Sequence, residues 1–122
     1  MAELDDKLNE AQLLHNEMRH VAERGGNEAA REVIRLRARF TALLVEILVV
    51  MKSDPRLLAD EDKRQEFSTL FGNMRQNLNA YQSRWRSSAI DADKEGYRKA
   101  SEAMIRSQDE FYADARALLG KA

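Results

Sequence analysis

Apolar residues in this chain recur at alternating intervals of four and three, over stretches longer than twenty residues. A chain with that spacing is committed to long helices. The cleanest run is Phe67, Phe71, Met74, Leu78, Tyr81 and Trp85. At 3.6 residues per turn these side chains share one face, whereas a half-buried strand would need alternation at every second residue.

Four segments carry the pattern. The first spans about 2–24, with Leu4, Leu8, Ala11, Leu14, Met18 and Val21 on one face. Gly25 is placed to end it in a left-handed C′ conformation, and Asn27 to cap the next helix. The second spans about 28–52 and carries the seam Val33, Leu36, Phe40, Leu43, Ile47 and Val50. Ser53-Asp54-Pro55 breaks it. Asp54 can cap a short turn whose first residue is Pro55, where proline's missing N–H costs nothing.

The third segment spans about 61–89 and starts in the acidic cluster Asp60-Glu61-Asp62, which suits a helix N-terminus. The fourth spans about 92–119, capped by Asp91 or Asp93 and closed by Gly120. Its core face is Tyr97, Met104, Phe111, Ala115 and Leu118, with Ile105, Tyr112 and Leu119 as an adjacent row. Four long helices joined by short loops predict an all-α fold, an antiparallel up-down-up-down four-helix bundle in a single domain over 1–122. The alternative is two long hairpins that pair only in a dimer. At 122 residues, folding buries roughly two-thirds of the chain's surface, enough for a core without crosslinks.

Composition removes several functions. The chain has no cysteine, so disulfide scaffolds, thiolate metal sites and cysteine nucleophiles are out. Lys and Arg total 20 against 21 Asp and Glu, a balance that gives no electrostatic reason to expect nucleic acid or an anionic membrane as partner. The longest apolar stretch, Phe40 to Met51, contains Glu46 and is too short to span a bilayer. The acidic N-terminus lacks the layout of a signal peptide. A cytoplasmic protein is expected.

Catalytic constellations are lacking in the sequence. His15 and His20 are the two histidines, and five residues of helix place them about 140° apart, so they cannot chelate one metal. Glu17 and His20 have Glu-x-x-His spacing, but a di-iron bundle needs a second copy. Haem would need His15 opposite Met74 or Met104, both of which fit core stripes as ordinary packing. Glycine-rich phosphate loops are missing, and Ser83, Ser87 and Ser88 have no histidine nearby in sequence. Trp85 lies between Arg84 and Arg86, an arrangement that can stack single-stranded nucleic acid. It also completes a core stripe, which turns the arginines outward. No enzyme activity and no cofactor are expected.

Glu17-Met18-Arg19-His20-Val21 resembles the start of the phosphoacceptor box in sensor histidine kinases, over five residues. The family continues with basic and asparagine residues, where this chain has Ala22-Glu23-Arg24-Gly25. The resemblance implies a phosphoacceptor role for His20, a reading less favoured than an interaction or ligand-holding role.

The most informative feature is surplus hydrophobicity. Val45, Leu48 and Val49 lie outside the second segment's seam and make that helix apolar nearly all round. Leu57 and Leu58 are placed to fold back over its end. Cover can come from within the chain, from these leucines and the fourth segment's second row. It can also come from another chain, as a homodimer or a helical protein partner. The candidate interaction surface is therefore Val45, Leu48, Val49, Leu57 and Leu58. The function expected is a non-enzymatic adaptor, assembly factor or regulator. The alternative is a ligand-holding or sensory bundle built around Tyr81, Trp85, Tyr97, Asn77 and His15.

Overall fold

The computed structural model describes residues 3–24 and 26–120, without the side chains of Ala22, Asn27, Ala30, Ser87 and Asp91. The chain is all-α, with six helices and no strand among the described residues. They are α1 (Glu3–Arg24), α2 (Gly26–Met51), α3 (Pro55–Ala59), α4 (Glu61–Arg84), α5 (Ser87–Ala92) and α6 (Lys94–Leu119). The chain divides into two compact units, Met1–Asp60 and Glu61–Ala122.

The first unit is a hairpin of α1 and α2. Three pairs set its direction: Lys7 with Glu46 at 3.3 Å, the rings of His15 and Phe40 at 6.4 Å, and Arg24 with Glu32 at 3.1 Å. One number climbs while the other falls, so the helices run antiparallel. The seams named above are buried at Leu4, Leu8, Ala11, Leu14 and Val21 of α1 and at Leu36, Phe40, Leu43 and Ile47 of α2. Acidic Glu3, Asp5 and Asp6 open α1 and Arg24 closes it, both favourable to the helix dipole. The expected C′ role of Gly25 and the capping roles of the Asn27 and Asp91 side chains fall outside the described residues.

α2 ends in a turn in which Lys52 and Ser53 N–H groups donate to the carbonyls of Val49 and Val50. Asp54 then caps α3, its Oδ1 accepting from the Arg56 N–H at 2.9 Å, with Pro55 in the first turn. The Arg56 guanidinium donates to both carboxylates that flank it, Asp54 and Asp5, each at 2.9 Å. This cluster ties the short helix to the start of α1.

In the second unit α4 and α6 are antiparallel. The pairs are Phe71 with Phe111 at 6.1 Å between centroids, the Tyr81 and Ser101 hydroxyls at 2.6 Å, and Trp85 with Tyr97 at 5.7 Å. The third segment does not continue to 89 as its spacing suggests. The Trp85 N–H makes a last helical bond to the Tyr81 carbonyl at 2.9 Å, and Arg86 then turns extended at φ −82°, ψ 166°. Two serines follow, residues that compete with helix through local hydrogen bonds, and α5 forms separately. α6 begins after Asp93, whose carboxylate accepts from the Gly96 N–H at 2.9 Å. It ends at Gly120 in a right-handed conformation.

Asp54 gives this corner a pH dependence. Hydrogen bonds from the Arg56 side chain hold its carboxyl below the ordinary 3.8, more than burial raises it. Its folded pKa thus lies below its unfolded one, so its stabilisation is complete above about pH 4 and is lost as pH falls through the folded value. Urea unfolding between pH 6 and pH 2.5 should show this acid-side loss, reduced in Asp54→Asn. At pH 6, Asp54→Ala should lower stability by about 1–3 kcal/mol.

Candidate functional site

The five residues expected to form an interaction surface separate into inside and outside. Leu57 is buried at 1% exposure, while Leu58 is 60% exposed on the same short helix. On α2, Val45 and Val49 are exposed at 49% and 62%, and Leu48 is half-buried.

The exposed valines belong to a longer feature. Ile34 is 58% exposed, and Ala38 and Thr41 are exposed as well. Ile34, Ala38, Thr41, Val45 and Val49 are spaced 4-3-4-4, so they line one side of α2, with Leu48 at its edge. Their mean direction is about 170° around the axis from Leu36, Phe40, Leu43 and Ile47. This outer seam runs about 22 Å at 1.5 Å per residue. It carries no charge between Ile34 and Val49, and Arg31 and Lys52 bound it. Exposed apolar residues scattered singly are ordinary, whereas here five exposed residues, Ile34, Val45 and Val49 among them, follow one another along one helix face.

Beside it lies a groove of about 470 Å³ between α1 and α2, where Lys7, Glu10 and Glu17 meet Arg39 and Glu46. Lys7 lies 3.3 Å from Glu46 and 3.7 Å from Glu10. The Glu46 hydrogen bond raises the lysine's pKa. Leu13, Leu14, Ala42 and Leu43 complete the lining of this groove.

The two histidines have different surroundings. His15, expected to be partly exposed, is buried at 7% beside the Phe40 ring. His20 is exposed, with Nδ1 at 3.8 Å from a Glu23 carboxylate oxygen. Among the described residues no group of three His, Cys, Asp or Glu side chains is placed to hold a metal. Trp85 is buried, and the Arg84 guanidinium lies 4.2 Å from its ring centroid, a cation–π contact on the ring face that stacking bases would use.

Of the residues named for a ligand-holding interior, Tyr81, Trp85 and Tyr97 form one aromatic cluster, while Asn77 is exposed. A different polar pair lies deeper. Gln108 and Tyr112, four apart on α6, are fully buried, and neither the Gln108 amide nor the Tyr112 hydroxyl has a hydrogen-bond partner among the described residues. Burial pushes the Tyr112 hydroxyl's pKa up. Gln108 occupies a heptad position between Met104 and Phe111, a place legible in the spacing although the residue is polar.

No helix among the described residues is long and apolar enough to cross a membrane. No protein-family model, curated protein or solved structure matches the chain.

The two faces of α2 should respond oppositely to charge. Val45→Glu and Val49→Glu should change folding stability by less than about 1 kcal/mol. Ile47→Glu, at a fully buried position, should unfold the chain or cost more than about 3 kcal/mol by burying an unpaired carboxylate. Urea unfolding followed by circular dichroism separates these outcomes.

Proposed function

We propose that this is a non-enzymatic protein that works by packing helices against another protein, through the outer face of α2. One observation carries the reading. Ile34, Val45 and Val49 are each about half exposed or more and stand in one row along one side of one helix, with no charged residue in the row between them. A helix that only had to bury one face would leave its back polar. Keeping this row in water forgoes part of the 1.5–3 kcal/mol that full burial of each such side chain can contribute. An adaptor, assembly or regulatory role in the cytoplasm accords with the near-neutral charge and the lack of a catalytic constellation in the sequence.

A second reading, a ligand-holding helical protein, has one observation in its favour. The buried Gln108 amide and Tyr112 hydroxyl offer a donor and acceptors that no described residue uses. It is the weaker reading, because two orphaned polar groups are also what a single ordered water satisfies.

A photocrosslinking amino acid introduced in cells in place of Val45 tests the first reading. Crosslinked species should form from position 45 and not from position 23, where Glu23 is exposed on α1. Equal labelling at both positions, or none at position 45, would overturn it.

A further inference from the structure

We infer that the occupant of the outer α2 face is α2 of a second copy, lying antiparallel. The inference rests on the reading of that face as an interface and adds its partner and direction. The charge pattern supplies the argument. Arg31, Arg35, Arg37 and Arg39 outnumber Glu28 and Glu32 in the first half of α2, where Arg35 lies 3.5 Å from Glu32, and the second half, from Phe40 to Met51, has Glu46 as its one charged residue.

Two copies side by side in the same direction would stack both sets of arginines at the same level, a repulsion that an apolar seam cannot relieve. Reversing one copy separates the sets. It also brings Glu46 of each copy to within about two residues of the level of Arg35 on the other, or about 3 Å along the axis. Glu46 is 54% exposed even with Lys7 beside it, so it keeps acceptor capacity for a second cation.

Side-chain size fits the same register. With Thr41 and Ala42 at the two-fold axis, Ile34 faces the second copy's Val49, and Ala38 faces the second copy's Val45. Larger side chains thus lie towards the ends and the smallest at the centre, which lets the helices approach closely near the axis. An isologous contact of this kind closes on itself and stops at two copies. One helix face of about 22 Å is a small interface, so the affinity expected is micromolar.

The chain has no cysteine, so single cysteines report the geometry directly. Oxidation of Thr41→Cys should give a disulfide-linked dimer. Ile34→Cys or Val49→Cys alone should give little, and a mixture of the two should give the mixed dimer at least tenfold faster than either alone. Glu46→Arg should weaken dimerisation about tenfold by sedimentation equilibrium, and adding Arg35→Glu should restore it. Same-site disulfides dominating at positions 34 and 49 would overturn the antiparallel pairing. So would a monomer at all concentrations up to about 1 mM. If that monomer still crosslinks from position 45 in cells to a different protein, self-pairing fails and the interface reading survives; if position 45 crosslinks to nothing, both fail.

Discussion

Everything in this fold depends on each long helix burying one apolar seam against its neighbour in the chain. That seam is what turns α1 and α2, and α4 and α6, into antiparallel hairpins. Side chains at the contact, such as Phe71 against Phe111, hold the register; polar pairs such as Tyr81 with Ser101 add direction at its edges. In proteins most helical stability comes from packing an amphipathic face, so the buried seam and not intrinsic propensity supplies most of theirs. The corner at Asp54–Arg56 shows how little polar chemistry is needed to finish the job. One carboxylate caps α3, and one guanidinium joins it to Asp5 on α1.

Against that constraint α2 is the exception. Its inner seam is buried through the middle of the helix, with Phe40 and Ile47 at 0% exposure, yet a second uncharged row runs along its back. Gly72 on α4 shows the ordinary case, a small exposed residue off the core stripe with open space around it. The contrast is between a small residue and a row in which Ile34, Val45 and Val49 are turned to solvent.

Much of this was legible in the residues. The helix faces follow from the heptad spacing because burial and the 3.6 period act on the same side chains, and Asp54, Pro55 and Asp93 announce their caps by residue type. The departures have local causes. The break after Trp85 involves no glycine or proline and follows from Arg86 turning extended before a serine pair. His15 and Gln108 are polar residues at seam or near-seam positions, so a search for apolar residues passes over them. The gaps at positions 101 and 108 in the α6 spacing were the available signal. Leu57 and Leu58 are chemically identical neighbours, and only the orientation of a five-residue helix decides that one is buried and the other exposed. Ile34 belongs to the outer seam but is separated from Val45 by eleven residues, and the exposure of the intervening Ala38 and Thr41 is what connects them.

The role proposed for the back of α2 is that of a contact surface. Its most direct test is the accessibility of individual methyl groups to a soluble paramagnetic relaxation agent, measured by NMR in dilute solution, in concentrated solution and in extract of the producing cells. Ile34, Val45 and Val49 methyls should be accessible when dilute. They should become protected in at least one of the other two conditions, while the 70% exposed Leu13 stays accessible throughout. If all four residues remain equally accessible in every condition, the outer seam of α2 is not an interface and the account is wrong.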